Sequence, residues 1–346
     1  MAKSKFEKYR DILREETAKV KRGEKSNILN AGNFLASILF LVLVSVWSYY
    51  FTVARDSSRS VKKDRILKVV FLDTGPGDGA VIFSPSGKIG IIDSGAISGS
   101  PEADSDTAQV VHNNPAYKKI IPLLEKETGL KISSSAPLNV EFFAVSYPDP
   151  DHYGGFFTLL ENGVLPAKVY VCGADRPYVL YQSLLELLKS KKIDFRPPAP
   201  GEIKDFGDGV RIKFLGPLAL YKKTSSDDKN SSLVMKIGYG NHSVLFPGDV
   251  HIEAENDLGN WQTEIRSTVL KVPDHGSEYA SSSPFLDRIM PEVAIISVAS
   301  GNGEGLPSER VLKRFEERRI QLYRTDSHGN INFISDGSTW EIDSER

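Results

Sequence analysis

From Leu67 onward, short apolar runs alternate with polar turns that carry glycine or proline. LKVVFLDTG is an apolar run closing in glycine. AVIFSPSGKIGIIDSG sets two more such runs around a Ser-Gly turn, which predicts strand, turn, strand. Residues 117–130, YKKIIPLLEKETGL, carry apolar positions at helical spacing and stop at Gly129, so they predict a helix. NVEFFAVSYPD predicts a strand ending in polar residues, GGFFTLLENG a helix, AKVYVCG a strand, and residues 179–191 a helix. Strands follow at 210–215, 232–238 and 242–246, then in TVLKVPD and VAIISV. A helix at 308–319 precedes strands in IQLYRTD and GNINFI. Strands and helices mix throughout, which predicts an α/β or α+β class with helices covering sheet faces. Residues 97–116, rich in Ser, Asp and Asn, read as a loop, and no internal repeat is visible.

The N-terminal region has a different pattern. Phe34 to Val53 is FLASILFLVLVSVWSYYFTV, 20 residues without a charge. At about 1.5 Å per residue this spans a hydrocarbon core of about 30 Å. Trp47, Tyr49 and Tyr50 sit toward its end, where interface-seeking aromatics collect. The expected organisation is a basic tail over 1–33, a transmembrane anchor over 34–54, a polar linker over 55–66 and a globular domain over 67–346. Phe6, Tyr9, Ile12 and Leu13 predict an amphipathic helix within the tail. Basic residues flank the span on both sides. The 9 Lys+Arg within residues 1–25 favour an inside N-terminus and an extracytoplasmic domain, single-pass in the membrane.

Charge refines this division. The 346 residues hold 43 Lys+Arg and 45 Asp+Glu, and about 40% are hydrophobic, which excludes a disordered chain and a multi-span membrane protein. Residues 1–66 carry 14 basic and 7 acidic side chains, whereas residues 67–346 carry 29 and 38. A globular part with a balance of −9 argues against tight tracking of a nucleic-acid backbone. The single cysteine, Cys172, excludes an intramolecular disulfide and a cysteine-based zinc cage.

Candidate chemistry collects where predicted strands end. Asp149, Asp151 and His152 fall within four residues of SYPDPDHYGG, followed by two glycines. Asp249 ends FPGD, and Asp274 and His275 lie in KVPDHGS. Carboxylate with imidazole suits Zn, Mn or Fe better than a thiol-loving metal. Asn230 and Ser232 precede the strand leading to Asp249; they are candidates for substrate binding or for turn caps. Gly276 and Ser277 offer backbone N–H groups to an anion, or cap a helix. Asp73, Asp78, Asp93, Tyr147 and Asp326 are expected to support the site from around it. His112, His242, His251 and His328 are expected at the surface or in structural roles.

The ordered series resembles the metallo-β-lactamase superfamily, and within it the soluble domain of ComEC-type DNA-uptake proteins. The resemblance covers about residues 67–335. It runs through Asp73-Thr74-Gly75-Pro76-Gly77-Asp78, Asp93-Ser94-Gly95, Asp149 to Gly155, Asn230-Ser231-Ser232, Gly248-Asp249, Asp274-His275-Gly276-Ser277 and Thr325-Asp326. It implies an αββα sandwich with a metal site at the sheet edge. That family's first motif usually reads His-Pro-Asp-x-Asp-His. Here Tyr147 takes the first histidine position, while Asp149, Asp151 and His152 match. Asp249 matches the residue that often bridges two metals. The later motif usually has two consecutive histidines; here Asp274 replaces the first and His275 matches the second. Leu306-Pro307 stands where a further histidine tends to precede proline.

The resemblance implies a divalent metal, Zn or Mn, as one or two ions held among Asp149, Asp151, His152, Asp249, Asp274 and His275. The ion acidifies a water that attacks phosphorus or carbonyl carbon, with Asp149 or Asp151 orienting it or taking its proton. The expected function is membrane-anchored hydrolysis of DNA or a small phosphodiester, alongside a separate membrane channel protein. The competing expectation is a degenerate, metal-free binding module at the membrane. True β-lactamase activity fits poorly, because the first motif is not His-x-His-x-Asp-His.

Overall fold

The computed structural model describes residues 5–24, 42–45, 65–96, 114–174 and 178–346. These fall into two units, Met1–Ser60 and Val61–Arg346, each taken by itself below. In the first, Lys5–Lys21 is helical, with Ile12, Leu13 and Val20 exposed. The expected anchor over 34–54 lies outside the described residues except for 42–45, which are helical. Among the described residues, no helix is long and apolar enough to cross a membrane. Most of the expected linker over 55–66, His112 and residues 97–113 of the expected loop also lie outside the described residues.

The second unit is built on two large sheets. One has eight strands in the spatial order Trp340–Ser344, Ile331–Ser335, Leu67–Phe71, Gly79–Phe83, Ile89–Ser94, Phe142–Val145, Lys168–Val171 and Asp194–Arg196. The other has seven, in the order Gln321–Arg324, Val293–Ile296, Val269–Lys271, His242–Phe246, Val234–Tyr239, Arg211–Gly216 and Ile203–Asp205. Each sheet is antiparallel on one side and parallel on the other. The parallel pairings run from Ile89–Ser94 to Asp194–Arg196 in the first sheet and from His242–Phe246 to Gln321–Arg324 in the second.

Period-two alternation sorts the side chains into three apolar layers. Leu67, Val69 and Phe71 join Phe214, Met235, Ile237, Phe246 and Ile295 between the sheets. The Phe71 and Phe246 rings stack across that layer with centroids 5.5 Å apart. Val70, Leu72 and Ile91 turn the other way, against the helices Ile121–Thr128, Pro150–Glu161 and Val179–Ser190. Leu245, Leu270 and Ile296 meet Ile252–Leu258, Ser283–Ile289 and Glu309–Glu317 on the far side of the second sheet. The result is a mixed α/β sandwich of four layers, helix–sheet–sheet–helix, as expected for the αββα class.

Three details differ from the sequence pattern. NVEFFAVSYPD is not one strand. Leu138–Val140 pairs with Val164–Pro166 in a separate two-stranded sheet, and only Phe142–Val145 enters the large one. The helices Ile252–Leu258 and Ser283–Ile289 also form, although the pattern does not mark them. The helix expected over 117–130 is two pieces, Ala116–Ile120 and Ile121–Thr128, and it stops at Gly129 in the left-handed conformation.

Candidate metal centre

The parallel strands of both sheets point their C-terminal ends at one edge, the location where open α/β sheets bind ligands. Asp93 lies near the end of Ile89–Ser94, and Asp151 and His152 follow Phe142–Val145. Asp249 follows His242–Phe246, and Asp274 and His275 follow Val269–Lys271. Residues far apart in sequence meet there because both sheets end there.

Close backbone packing fixes the first motif. Pro150 opens the helix Pro150–Glu161, with Asp149 at its N-cap and Asp151 in the first turn. The helix lies so close to the neighbouring strand that a Cβ at Gly155 would sit 2.3 Å from the Ser94 carbonyl oxygen. A Cβ at Gly77 would sit 2.1 Å from the Asp151 carbonyl oxygen. That oxygen accepts from the Asp78 N–H at 3.1 Å, which ties the 72–78 loop to the helix start. Three non-glycine residues here are left-handed: Asp93 (φ 53°), Asp274 (φ 48°) and His275 (φ 51°). Such residues cost about 1–3 kcal/mol each and persist where the surroundings over-determine them.

The two imidazoles are held in the same way. His152 is fully buried, and its Nδ1 lies 3.1 Å from Asp93 Oδ2. Asp93 is itself fixed by the Ser146 backbone N–H at 2.8 Å and hydroxyl at 2.5 Å. His275 Nδ1 lies 3.0 Å from the Ser297 carbonyl oxygen and so carries the hydrogen it donates. Both Nε2 atoms are left buried without a hydrogen-bond partner. They face the same carboxylates: His152 Nε2 is 3.4 Å from Asp249 Oδ2 and 3.6 Å from Asp151 Oδ1, and His275 Nε2 is 3.3 Å from Asp151 Oδ2. Asp249 Oδ1 and Asp78 Oδ1 are buried and unpartnered as well. The groups whose ligand atoms converge are Asp151–His152–His275 and Asp78–His152–Asp249. Imidazoles anchored through Nδ1 and free at Nε2, with carboxylates between them, are the donor arrangement of a protein metal site. The residues present therefore fit a divalent ion.

Charge explains the protonation pattern. Burial alone would lower His152, but Asp249, Asp151 and Asp93 outweigh it and hold the ring well above its usual range. Burial also opposes protonation of His275, yet Asp78, Asp151 and Asp249 raise it to about 9. Burial would raise Asp151, but His152 and His275 bring it to about 2. Asp249 is lowered too, against its burial, chiefly by His152. Asp149 goes the other way: burial, and then the neighbouring Asp151 charge, push it up to about 6. The site thus collects more carboxylate than its imidazoles balance, and protons or a metal cation supply the difference.

Asp274 stands apart from both groups. One of its oxygens accepts from Lys229 Nζ, and the other lies 2.8 Å from His251 Nε2. Burial would lower the Lys229 amine, but Asp249 and Asp274 raise it. His251, expected at the surface or in a structural role, is buried beside this pair and stacks on Tyr279 at 5.7 Å. It lies two residues after Asp249, the only sequence signal that could have placed it here. Lys271 forms a buried ion pair with Asp78, a contact no motif reveals.

Other expected residues occupy different places. Tyr147 packs its ring against His152 at 5.5 Å in a T-shaped arrangement. Asn230 is engaged within the protein: its Oδ1 accepts from the His251 and Ala254 N–H groups, and its Nδ2 donates to Thr224 and Glu253. Ser232 is fully buried and accepts from the Asp249 N–H, so it braces the backbone at Asp249. The Gly276 carbonyl accepts from Ser308, and the Ser277 N–H donates to the Asp274 carbonyl, so that N–H is spent within the turn. Asp73 leaves the site and pairs with Arg346 at 2.9 Å. Asp326 pairs with Arg324 at 2.7 Å. His242 and His328 are engaged with Ser335 and with the Arg324 backbone, away from the cluster.

No protein-family model matches the chain. ComE operon protein 3 of Bacillus subtilis (strain 168) is 26% identical over 269 residues, 77% of this chain and 33% of that protein. Competence protein ComA of Neisseria gonorrhoeae is 34% identical over 127 residues, 36% of this chain and 18% of that protein. The chain thus spans about a third of the length of the first relative and under a fifth of the second. Zn(2+)-bound PqqB from Methylobacterium extorquens aligns with 74% of this chain and 97% of its own, at a TM-score of 0.41 and 12% identity. With its motif order and two-sheet sandwich, Val61–Arg346 fits a metallo-β-lactamase-like fold, and its sequence is similar to parts of ComE operon protein 3 and competence protein ComA.

Proposed function

We propose that this chain is a metal-dependent hydrolase of phosphodiesters, DNA among them, anchored in a membrane by residues 34–54 and acting beside a separate channel protein. The observation that carries the reading is the pair of buried imidazoles, fixed through Nδ1 and unpartnered at Nε2, facing Asp151 and Asp249. The competence-protein relatives supply the link to DNA uptake.

A divalent ion held among Asp151, His152, Asp249 and His275 would supply Lewis acidity toward a water and a phosphoryl oxygen. The chain's own groups handle the proton. Asp149, pushed up to about 6, changes protonation within reach of neutral pH and stands beside Asp151. It accepts the proton of the attacking water and returns it to the leaving oxygen. The −9 balance of the globular part favours a short or small phosphodiester over a long duplex.

The test uses the purified full chain, loaded with Mn(II) or Zn(II) and desalted. The expected result is retained metal by elemental mass spectrometry and cleavage of a phosphodiester probe, both lost in Asp151→Ala. A folded chain that retains no metal defeats the reading. A second reading, a degenerate binding module, draws on Tyr147 and Asp274 at positions where the resembled family carries histidine. A folded chain that retains no metal and cleaves neither single-stranded DNA nor bis(p-nitrophenyl) phosphate would favour it.

A further inference from the structure

We infer that the centre takes a single divalent ion, among Asp151, His152, Asp249 and His275, and that the Lys229 ammonium replaces a second ion at Asp274. This rests on the metal-dependent reading above and deepens it. The two sides of the cluster differ in what is left free. On one side, His152 Nε2, His275 Nε2, Asp249 Oδ1 and Asp78 Oδ1 are buried with no hydrogen-bond partner, Asp78 being held through its other oxygen by Lys271. On the other, both oxygens of Asp274 are engaged, one by Lys229 Nζ and one by His251 Nε2 at 2.8 Å.

Asp274 is almost fully buried, and Lys229 is about two-thirds buried, with a side-chain exposure of 31%. The amine therefore occupies the space beside the carboxylate. A dication placed there would displace the ammonium and face its charge at close range in a poorly solvated setting. The backbone supports this placement. Lys229 sits in the short helix Asp227–Asn230, whose Ser226 cap accepts from the Lys229 N–H. Asn230, the next residue, ties that helix to His251 and Ala254. The lysine is thus held toward Asp274 by the elements that also hold His251.

The experiment loads the full chain with excess Mn(II), desalts it, counts manganese per chain by elemental mass spectrometry, and records the electron paramagnetic resonance spectrum. The expected result is about one ion per chain with the spectrum of an isolated Mn(II). About two ions with a coupled spectrum would overturn the inference and leave the metal-dependent reading standing. No ion in a folded chain would overturn both, with the fault in the parent reading. In Lys229→Ala combined with Asp274→His, the count should rise to about two. A count that stays near one overturns the role given to Lys229. Lys229→Met, which keeps the side chain's length, repeats the test if the double variant does not fold.

Discussion

Two corners of one site spend their carboxylates differently. Around His152 and His275, the ring hydrogens are committed to Asp93 and Ser297, and the opposite nitrogens are left open toward Asp151 and Asp249. Around Asp274, Lys229 and His251 close the contacts within the protein. Both corners are buried and acidic, so acidity alone does not mark a metal site. What separates them is that both oxygens of Asp274 have partners, although His251 Nδ1 beside them is also buried without one. An unpaired buried nitrogen is costly. Two of them facing shared carboxylates call for a ligand that supplies positive charge.

The sharpest way to break this contrast is His152→Ala, which removes the imidazole shared by both converging groups. Metal retention should be lost altogether, while Asp274→Asn should leave most of it in place. Elemental analysis of the two variants side by side decides the matter, and equal losses would erase the distinction. Asp93→Asn should come next, with metal affinity about 10–100-fold lower by competitive chelator titration. It keeps the shape but weakens the hold on the His152 ring.

The pH dependence of stability sharpens the comparison further. In the metal-free chain His275 titrates at about 9, above its ordinary 6.5. A raised folded value means the folded state holds more protons, so this contribution is full below about pH 6.5 and lost as pH rises through about 9. Melting in chelator should therefore show a midpoint that declines over that window. Added metal should flatten the decline, since ligation requires the neutral ring. A profile unchanged by metal would disconnect His275 from the ion. The smallest effects belong to Asn230→Ala and Asp326→Asn. The first removes a buried cap and should cost about 1–2 kcal/mol in chemical denaturation. The second opens a partly buried pair with Arg324, in which the Asp326 side chain is 8% exposed, and should cost no more than about 1 kcal/mol.

The apolar alternation in Leu67–Phe71 is readable because each side chain must choose one of two buried faces, and the chain writes that choice at every second position. The Asp151-His152 pair is readable because its ligand types are adjacent and its glycines permit close packing. Asp73 and Asp78 show the limit. They lie in one loop five residues apart, yet one reaches Arg346 and the other the buried Lys271. Which way such a loop residue turns depends on partners some 190 to 270 positions away. His251 and Lys229 escape notice for the same reason: their roles arise only when Asp274 comes into reach. The short strands Leu138–Val140 and Val164–Pro166 are also hidden, since a break at Glu141 leaves no mark in hydropathy. Glu141 donates its N–H to Ile89 and carries the chain from the small sheet to the large one.

The donors come from both leaves of the sandwich: Asp151 and His152 follow a strand of the eight-stranded sheet, and Asp249 and His275 follow strands of the seven-stranded one. An ion held by all four is a rivet between leaves that otherwise cohere through apolar contact and a few polar ties such as Lys271–Asp78. Its binding energy would then also resist their parting, so the amide hydrogens of Phe142–Val145 and Val269–Lys271 should exchange more slowly together when the rivet is in and faster together when it is drawn.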